Sequence, residues 1–358
     1  MQYKEFLFKH PFVTESEKIL EEITIGYHTN IKDNEDANSK PIVWICHALT
    51  LNSNPEEWWS PIVGKGKLFD TDKYNIICAN ILTSCFGSTG PQSINPQTNK
   101  PYLFSFPIIS IRDIVKELKI LALHLGIKQI DLLIGASCGG FQAMEWAISK
   151  PDFIKKLVLI ATSAKISPWA TALNETQRMT MSVDQDFMNS KNVDAGKNVL
   201  APARTIATIS YRTAESFRRK QHEIDPDFFL ASRACTYQQH IGTSFAKNFN
   251  AYSYWYLTKA IDTHNTGRNR GGIEAALAQI KARTLCIAIE SDLLFPYVEI
   301  ENLSDAISNS HFELIHSNLG HDGFILEAQY IGKLIFKHFN INNIQMINSQ
   351  ESMNISNK

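Results

Sequence analysis

The stretch DLLIGASCGG at residues 131–140 is an apolar run that ends in Gly-Ala-Ser-Cys-Gly-Gly. The ten residues that follow, FQAMEWAISK, have the composition of a helix. A strand, a Gly-x-Ser-x-Gly turn and a helix in this order form a nucleophile elbow, where the sharp turn exposes the serine hydroxyl. The N-terminus of the helix favours a developing negative charge there. The pattern therefore predicts that Ser137 is a nucleophile and not an ordinary turn serine.

Outward from this turn, short apolar runs predict buried strands. There are six of them: PIVWIC (41–46), YNIICAN (74–80), IDLLIG (130–135), KLVLIAT (156–162), TLCIAIE (284–290) and HFELIH (311–316). Amphipathic patterns with helical spacing lie between many of them, such as IRDIVKELKILALHLG (111–126). Buried strands that alternate with such helices indicate an α/β fold with a mainly parallel central sheet.

The alternation stops between about residues 163 and 282, where helix-forming residues dominate. In this region, Asp225 followed by Pro226 predicts a helix start, with aspartate as N-cap and proline at the first helical position. We expect a helical lid inserted into an α/β core. The predicted domains are a core of residues 1–162 plus 283–340, a lid of residues 163–282 and a mobile polar tail of residues 341–358.

Composition excludes several classes of function for these 358 residues. The formal net charge is −1, from 35 Lys and Arg against 36 Asp and Glu, so there is no overall basic field for nucleic acid. The first twenty residues lack the apolar core of a signal peptide, and no run is long enough to span a membrane. None of the six cysteines forms a CxxC pair. We expect a cytoplasmic protein with reduced thiols and no metal site.

A serine nucleophile needs a base to take its proton, and the base needs a carboxylate that fixes its tautomer. Asp292 follows a predicted strand, and His321 lies in a glycine-containing loop after the last one. The order Ser, Asp, His is that of α/β hydrolases, and both residues lie where open α/β sheets build their sites. His316 is the alternative base and Glu290 the alternative acid.

The transition state also needs donors for an oxyanion. One is the backbone N–H of the residue after the nucleophile, here Cys138. The segment HALT (47–50) follows an early strand, and we assign the second donor to the backbone N–H of Leu49. His47 precedes the serine and is expected to be structural. The thiol of Cys138 is expected to point away from the site, so it is not the favoured nucleophile.

Longer blocks of the sequence carry a family resemblance. They are HALT (47–50), EEWWSPIVGKGKLFDTDKYNIICANIL (56–82), CFGSTGPQSINPQTNKPY (85–102), FPIISIRD (106–113), GASCGGFQAMEW (135–146), SDLLFP (291–296) and GHDGF (320–324). With these blocks the chain resembles the homoserine O-acetyltransferases of the α/β-hydrolase fold, which are acyl-CoA-dependent enzymes of methionine biosynthesis. The resemblance extends from about residue 5 to 338, and ordinary esterases do not have the block around GSTGP.

The resemblance implies a ping-pong reaction in which acetyl-CoA acylates the serine, CoA leaves and the hydroxyl of homoserine takes the acyl group. Acetyl-CoA is then a co-substrate, and no bound cofactor is implied. The family's substrate arginine lies in the stretch PARTIATISYRT (202–213), which places it at Arg204, with Tyr211 beside it and Arg212 as a competitor. Arg204 would bind the homoserine carboxylate, and Asp322 would meet the amino group.

Two departures from the family pattern leave the substrates open. Leu51-Asn52 stands where the family has Gly-Asp after HALT, and Cys138 stands where it has methionine or leucine. The acyl group could therefore be acetyl, succinyl or another short chain, and the acceptor homoserine or serine. An esterase or thioesterase with the same triad is the alternative enzyme, and an inactive binding module is the alternative from another class.

Two further segments of the predicted lid lead to separate predictions. The aromatic residues of AYSYWYL (251–257) suggest a homodimer formed through the lid helices. The stretch RNRGG (268–272) is either a surface loop or a phosphate cradle, and we favour the loop. The expected partners are therefore L-homoserine, an acyl-CoA and a second copy of the chain, without nucleic acid or membrane.

Overall fold

The computed structural model describes residues 1–341, and the predicted tail lies almost entirely outside them. Eight strands form the central sheet: Gln2–Phe8 (β1), Ile23–Thr29 (β2), Ile42–Cys46 (β3), Asn75–Ala79 (β4), Leu132–Ala136 (β5), Lys156–Ile160 (β6), Arg283–Ile289 (β7) and Ser310–Ile315 (β8). Two short antiparallel ribbons accompany it, Phe12–Val13 with Ile19–Leu20 and Ile94–Asn95 with Lys100–Pro101.

The order of strands across the sheet is β1-β2-β4-β3-β5-β6-β7-β8. Strands β3 to β8 are all parallel, whereas β2 runs antiparallel to both of its neighbours. The six predicted runs are β3 to β8, with ends displaced by no more than two residues. The expected α/β fold with a mainly parallel sheet is confirmed.

Burial on both faces explains why these strands read as continuous apolar runs. In β3, Trp44 and Cys46 pack into the core on one face of the sheet, while Val43 and Ile45 pack into the core on the other. Helices cover both faces, so every position along the strand needs an apolar side chain. A parallel sheet of this kind exposes only the ends of its strands, which is where a site can form.

Thirteen α-helices surround the sheet or extend from it: Pro55–Trp58 (α1), Ile111–His124 (α2), Cys138–Ser149 (α3), Pro168–Met181 (α4), Gln185–Met188 (α5), Lys197–Tyr211 (α6), Ala214–Gln221 (α7), Arg233–Asn248 (α8), Ala251–Asp262 (α9), Ile273–Leu277 (α10), Tyr297–Asp305 (α11), Gly323–Leu326 (α12) and Ala328–Phe339 (α13). Helices α4 to α10 all lie between β6 and β7. In this group α6 packs against both α4 and α8.

The N-terminal strands β1 and β2 were not among the predicted runs. In β1 the half-buried residues alternate with exposed ones, so half of its positions carry polar or exposed side chains. This strand is at the edge of the sheet and pairs only with β2. An alternating pattern of this kind is the normal signal for an antiparallel strand with one solvated face.

The predicted helix start at Asp225 and Pro226 is wrong. The Oδ1 atom of Asp225 accepts a hydrogen bond from the backbone N–H of Asp227, which closes a local turn instead of a helix. Helix α8 begins later, at Arg233. There the side chain of Glu223 accepts hydrogen bonds from the backbone N–H groups of Ser232 and Arg233, so a carboxylate distant in sequence satisfies the first amides of the helix.

The aromatic helix α9 packs inward. Tyr252, Tyr254 and Tyr256 are all buried, and the hydroxyl of Tyr252 donates to the backbone carbonyl of Phe187 at 3.1 Å. The expectation that these aromatic side chains meet a partner chain is therefore wrong, because they already fill the interior of this one. These large side chains bury apolar area between the helices that lie between β6 and β7.

The RNRGG stretch is a loop whose arginines are already paired. Arg270 contacts both carboxylate oxygens of Glu145 on α3, and its Nη1 lies 2.7 Å from Oε2. Arg268 makes two hydrogen bonds with Glu15, at 2.8 and 3.0 Å. Arg112 on α2 lies within 3.2 Å of Glu15 and 3.6 Å of Glu145. These pairs attach the chain returning from α9 to the core, and the guanidinium groups are engaged with carboxylates instead of forming a phosphate cradle.

Candidate active site

The elbow at the end of β5 has the conformation that the motif requires. Ser137 lies between β5 and α3 with φ 55° and ψ −128°, a strained backbone for a residue with a side chain. A Cβ on Gly135 would lie 2.1 Å from the carbonyl oxygen of Gly139, and one on Gly139 would lie 2.1 Å from that of Cys46. Both positions therefore require glycine.

The structure brings Ser137, His321 and Asp292 into one hydrogen-bonded chain. The Oγ atom of Ser137 lies 2.9 Å from Nε2 of His321, and Nδ1 of His321 lies 2.7 Å from Oδ2 of Asp292. The other carboxylate oxygen of Asp292 accepts hydrogen bonds from the backbone N–H groups of Leu294 and Phe295 at 2.8 and 3.0 Å. Backbone donors thus hold the carboxylate, and the carboxylate holds the imidazole.

This chain of groups is shielded from solvent. Asp292 is 2% exposed and His321 is 3% exposed. Three aromatic rings pack around the imidazole, from Tyr211 at 5.6 Å and from Phe295 and Phe324 at 5.3 Å between ring centroids. A carboxylate on Nδ1 leaves Nε2 to accept the serine proton, so the arrangement can generate a serine nucleophile in a dry setting.

The alternative residues lie elsewhere or are unsuited to the task. His316 and Glu290 pair with each other at 3.1 Å on the surface, where their side chains are 75% and 52% exposed. His47 is fully buried, hydrogen-bonds the backbone of Ala48 and has its pKa lowered by burial to about 4. Burial raises the pKa of the Cys138 thiol to about 12, which leaves no thiolate for attack.

A cavity lies directly beside the serine. The two residues assigned as oxyanion donors, Leu49 and Cys138, border it together with Ser137. The remaining wall comes from α3, α4, α6, α9 and the loops beside α4 and after β7: Phe141, Ile166, Ala170, Leu173, Asn174, Gln177, Ser210, Tyr211, Ile261, Leu294 and Phe295. The wall is mostly apolar, with polar side chains from Ser137, Asn174, Gln177, Ser210 and Tyr211.

Arg204 reaches toward the same region from α6. Its Nη1 atom lies 3.4 Å from the hydroxyl of Thr50, and its guanidinium packs over the rings of Phe245 at 4.6 Å and Tyr211 at 5.3 Å. Among residues 1–341 no carboxylate forms an ion pair with it, and its buried Nε has no hydrogen-bond partner. A stacked guanidinium without an anion is available for an anionic ligand.

Asp322 follows the imidazole in sequence and already has a cationic neighbour. Its Oδ2 atom lies 3.1 Å from Nε of Arg212, the residue after the C-terminal end of α6. The guanidinium of Arg212 packs over the ring of Tyr237 on α8 at 5.5 Å. The sequence motifs favour Arg204 over Arg212 and give no signal for the pairing of Arg212 with Asp322.

Known proteins match this chain along most of its length. A family model described as alpha/beta hydrolase fold matches residues 41–328. The homoserine O-acetyltransferase of Cyclobacterium marinum is 41% identical over 311 residues, which cover 86% of this chain and 87% of that relative. This chain belongs to the homoserine O-acetyltransferase family. The resemblance read from the sequence motifs is therefore confirmed.

Solved structures agree with the fold. The homoserine O-acetyltransferase of Bacillus anthracis has a TM-score of 0.85 at 21% identity and covers 95% of this chain, with 97% of its own chain matched. Esterase E22 has a TM-score of 0.83 at 25% identity and covers 94% of this chain and all of its own. The α/β-hydrolase fold is thus common to homoserine O-acetyltransferases and esterases, and the fold alone does not separate them.

Neither a metal-binding cluster nor a membrane-spanning helix is present among residues 1–341 of this homoserine O-acetyltransferase family member. Within residues 1–341 no group of three His, Cys, Asp or Glu side chains is placed to hold a metal ion. Over the same residues, no helix combines the length and the apolar character needed to cross a bilayer.

One polar cluster behind the cavity had no signal in the family motifs. Arg178 on α4 is 2% exposed and pairs with Asp262 at 2.6 Å, and Asp262 also accepts a hydrogen bond from Asn174 at 2.8 Å. Asn174 lines the cavity, so this pair fixes part of the wall. Arg178 and Asp262 are far apart in sequence, and nothing in either segment indicates their contact.

Proposed function

We propose that this enzyme transfers an acetyl group from acetyl-CoA to the side-chain hydroxyl of L-homoserine through an acyl-enzyme on Ser137. The observation that carries the proposal is the Ser137–His321–Asp292 chain of hydrogen bonds beside a cavity, in a member of the homoserine O-acetyltransferase family. The geometry supplies a nucleophile, and the family supplies the donor and the acceptor.

In the first half-reaction, the Ser137 hydroxyl attacks the thioester carbonyl while Nε2 of His321 takes its proton. The tetrahedral intermediate collapses by breaking the carbon–sulfur bond. The imidazolium returns the proton to the departing sulfur, and CoA leaves as a thiol. The carboxylate of Asp292, held by two backbone N–H groups, stabilises the imidazolium while it exists.

In the second half-reaction, the homoserine hydroxyl takes the place of Ser137 as the attacking group. His321 removes its proton, the hydroxyl oxygen bonds to the acyl carbon, and the bond to Ser137 Oγ breaks. The proton on Nε2 passes to Ser137, which restores the free enzyme. Apart from the substrates, no group outside the triad has to gain or lose a proton, because the base is regenerated in each half.

The oxyanion of both intermediates needs donors that stay in place. We assign them to the backbone N–H groups of Leu49 and Cys138, because both residues border the cavity beside Ser137 and Cys138 begins α3. Loss of one donor of this kind commonly costs about 3 kcal/mol of transition-state stabilisation. Backbone donors also explain why the change to Cys138 is compatible with catalysis, since any side chain leaves this N–H in place.

For the acceptor, we assign the carboxylate of homoserine to Arg204 and its ammonium group to Asp322. Arg204 has no carboxylate partner of its own in the part of the chain that the structure describes. Tyr211 lies between this guanidinium and the base, with 5.3 Å from its ring to Arg204 and 5.6 Å to the ring of His321. An amino acid held at both ends would carry its side-chain hydroxyl toward the base.

A hydrolase is the second candidate, because esterase E22 shares the fold over nearly the whole chain. Water would then discharge the acyl-enzyme. The Arg204 and Asp322 pair argues against this role, since an ester with an apolar acyl or alcohol group offers neither charge a partner. The apolar wall at Ser137 suits an acetyl group, whereas a succinyl group would place its free carboxylate against this wall.

A matrix of acyl donors and acceptors tests the proposal. Acetyl-CoA and succinyl-CoA are each combined with L-homoserine, L-serine or no acceptor, and CoA release is followed with a thiol reagent. We expect fastest turnover for acetyl-CoA with L-homoserine, with parallel double-reciprocal lines for a ping-pong reaction. Equal CoA release with and without amino acid would favour the hydrolase, and no stimulation by either amino acid would contradict the transferase.

We extend the proposal to the protein as a whole. Helices α4 to α10 form a lid over the carboxyl ends of the strands, and residues 1–162 and 283–340 form the core. The enzyme works in the cytoplasm on L-homoserine and acetyl-CoA as its small-molecule partners, and two copies associate through their lids.

A further inference from the structure

The contact between Arg212 and Asp322 lies beside the proposed acceptor site and has no assigned role. The guanidinium Nε is 3.1 Å from the Asp322 carboxylate, close enough for a charge–charge interaction. The same Nε is buried and makes no hydrogen bond, so its N–H is not aligned with the carboxylate oxygen. The two side chains are 24% and 23% exposed, so the pair is partly protected from solvent.

Two other donors in this neighbourhood are also unpartnered. The Nε atom of Arg204 and the hydroxyl of Tyr237 are buried and make no hydrogen bond within residues 1–341. Tyr237 supports the Arg212 guanidinium with its ring. Buried donors that make no hydrogen bond are unfavourable, and an anionic ligand beside Arg204 and Arg212 could satisfy the two guanidinium donors.

The two arginines and Asp322 act on the same phenols. Burial raises the pKa of Tyr237, and the charges of Arg212, Asp322 and Arg204 all act on it as well. The pKa of Tyr211 is likewise raised by burial, and Arg204 and Asp322 both act on that group. Two guanidinium groups and the carboxylate of Asp322 therefore lie near enough to these phenols to act on their charge.

We propose that Arg212 determines acceptor specificity by occupying Asp322 until a zwitterionic amino acid replaces it. This inference rests on the proposed function. The ammonium group of the acceptor has three donors and can make aligned, charge-assisted hydrogen bonds with Asp322, which the unaligned Arg212 contact does not. Arg212 then loses its counter-charge, and the carboxylate of the same acceptor, shared with Arg204, restores it.

The exchange balances only when the acceptor carries both charges. An amino-alcohol without a carboxylate would take Asp322 and leave Arg212 unpaired in a partly buried site, which is unfavourable. Water and neutral alcohols would not displace Arg212 at all. Arg204 attracts a carboxylate, whereas Arg212 makes binding of the ammonium group conditional on the presence of that carboxylate.

The test compares L-homoserine with L-homoserinol, which has the same ammonium and hydroxyl groups but no carboxylate. In Arg212→Met the alkyl stem over Tyr237 is kept and the charge is lost. We expect the preference for homoserine over homoserinol, measured as a ratio of kcat/KM values, to fall at least about tenfold. The CoA burst with acetyl-CoA alone should stay as in the wild type, because the change acts on the acceptor.

Arg219→Met is the matched control. Arg219 is also an ion-paired arginine, bound to Glu215 on the exposed face of α7, so its loss should leave the preference unchanged. If Arg212→Met does not fold, Arg212→Lys is the second variant to measure. It keeps the charge without the Nε donor and should keep most of the preference for homoserine over homoserinol. In an Asp322→Asn background, the effect of Arg212→Met on this preference should be smaller than in the wild type, because Arg212 no longer has to be displaced from Asp322.

The outcomes separate the two proposals. A wild type that acetylates homoserine, with an Arg212→Met variant of unchanged preference, would overturn this inference alone. An equal effect of Arg212→Met and Arg219→Met, or an additive effect in the Asp322→Asn background, would also overturn it. A wild type that acetylates neither compound would contradict the proposed function, and this inference with it.

Discussion

At the scale of single residues, the proposed acyl transfer depends on a serine in a strained turn and on two side chains that approach it from distant segments. Ser137 has a positive φ. The turn around it is possible because Gly135 and Gly139 lack a Cβ, which would clash with the neighbouring backbone carbonyl groups. Asp292 and His321 come from the loops after β7 and β8. Their hydrogen bonds are short and buried, so the base is oriented before any substrate arrives.

Removing the nucleophile is the simplest test at this scale. Ser137→Ala should lower turnover with acetyl-CoA and L-homoserine by about a thousandfold or more, because no acyl-enzyme can form. The far-ultraviolet circular dichroism and the unfolding midpoint should stay near those of the wild type. Activity close to the wild-type rate in a well-folded variant would show that another residue carries the acyl group.

The acceptor arginine gives a different kinetic pattern. Arg204→Ala should raise the KM for L-homoserine by about ten- to a hundredfold, since a charged hydrogen-bond pair with the substrate carboxylate is lost. The release of one equivalent of CoA from acetyl-CoA alone should persist, which stopped-flow measurement of the burst can check. If the burst disappears while KM is unchanged, Arg204 acts on the acyl step instead.

Two buried histidines predict how stability depends on pH. Burial lowers the pKa of His47 to about 4 and that of His264 to about 3, from an ordinary value of 6.5. The unfolded chain therefore binds these protons first, so the stability that they contribute is complete above about pH 6.5 and is lost as the pH falls toward 4. Each histidine adds up to about 1.4 kcal/mol per pH unit to the slope.

Urea unfolding at several pH values between about 7 and 4 measures that slope. His47→Asn removes one titrating group but keeps an amide that can donate to the carbonyl of Ala48. The free energy of unfolding of this variant should fall less steeply with decreasing pH than that of the wild type. Identical slopes would mean that His47 is not held neutral in the folded protein.

Sequence patterns identify those residues whose role depends on neighbouring positions in the chain. Ser137 belongs to a five-residue motif, and Asp292 and His321 follow predicted strands in the order that the fold imposes. The structure brings these three together. The contact between Arg212 and Asp322 joins the end of α6 to the loop after β8, and only the three-dimensional arrangement of those elements reveals it.

At the scale of elements, the parallel strands could be predicted almost to the residue, because β3 to β7 are buried on both faces and most of their positions are apolar. The helix boundaries between β6 and β7 were harder to predict. The side chain of Glu223 satisfies the first amides of α8, so the start of this helix depends on a residue outside the local pattern. An Asp-Pro pair indicates a helix start only where no such distant partner competes.

The ion pairs of the RNRGG loop give a prediction at this scale. Glu145 is 5% exposed, and in Arg270→Met it would lose its paired donors and keep only Arg112 at 3.6 Å. We expect the free energy of unfolding to fall by about 2 to 3 kcal/mol, because a buried carboxylate is left poorly compensated.

Urea unfolding checks this value, and Arg218→Met is the control. Arg218 pairs with Glu215 in the open on α7 and should not move the unfolding midpoint. If Arg270→Met is as stable as the wild type, the loop does not anchor the lid to the core.

At the scale of the whole molecule, the two proposed parts of the chain contribute different groups to the candidate site. The proposed core contributes Ser137, Asp292 and His321, and the α4–α10 segment contributes Arg204, Tyr211 and much of the cavity wall. The composition does not indicate how copies of the chain would associate. The tyrosine side chains of α9 are buried inside the chain, so a surface for association would lie elsewhere on the proposed lid.

The segment between α7 and α8 offers such a surface. Ile224 and Leu230 are 80% and 76% exposed, and Phe229 is fully exposed. Exposed apolar clusters of this kind are typical of interaction sites. We expect a dimer by light scattering coupled to size-exclusion chromatography, and a monomer for Phe229→Asp with unchanged circular dichroism. A monomeric wild type at every concentration would contradict dimerisation through the lid.

Following the acetyl group tests most directly whether Ser137 carries it. The enzyme is mixed with acetyl-CoA alone, and CoA release and the mass of the peptide that contains Ser137 are measured together. We expect one equivalent of CoA per active site, one acetyl group on Ser137, and its transfer to L-homoserine as O-acetylhomoserine when L-homoserine is added. CoA release only when both substrates are present, with no acetylated Ser137, would contradict this proposal.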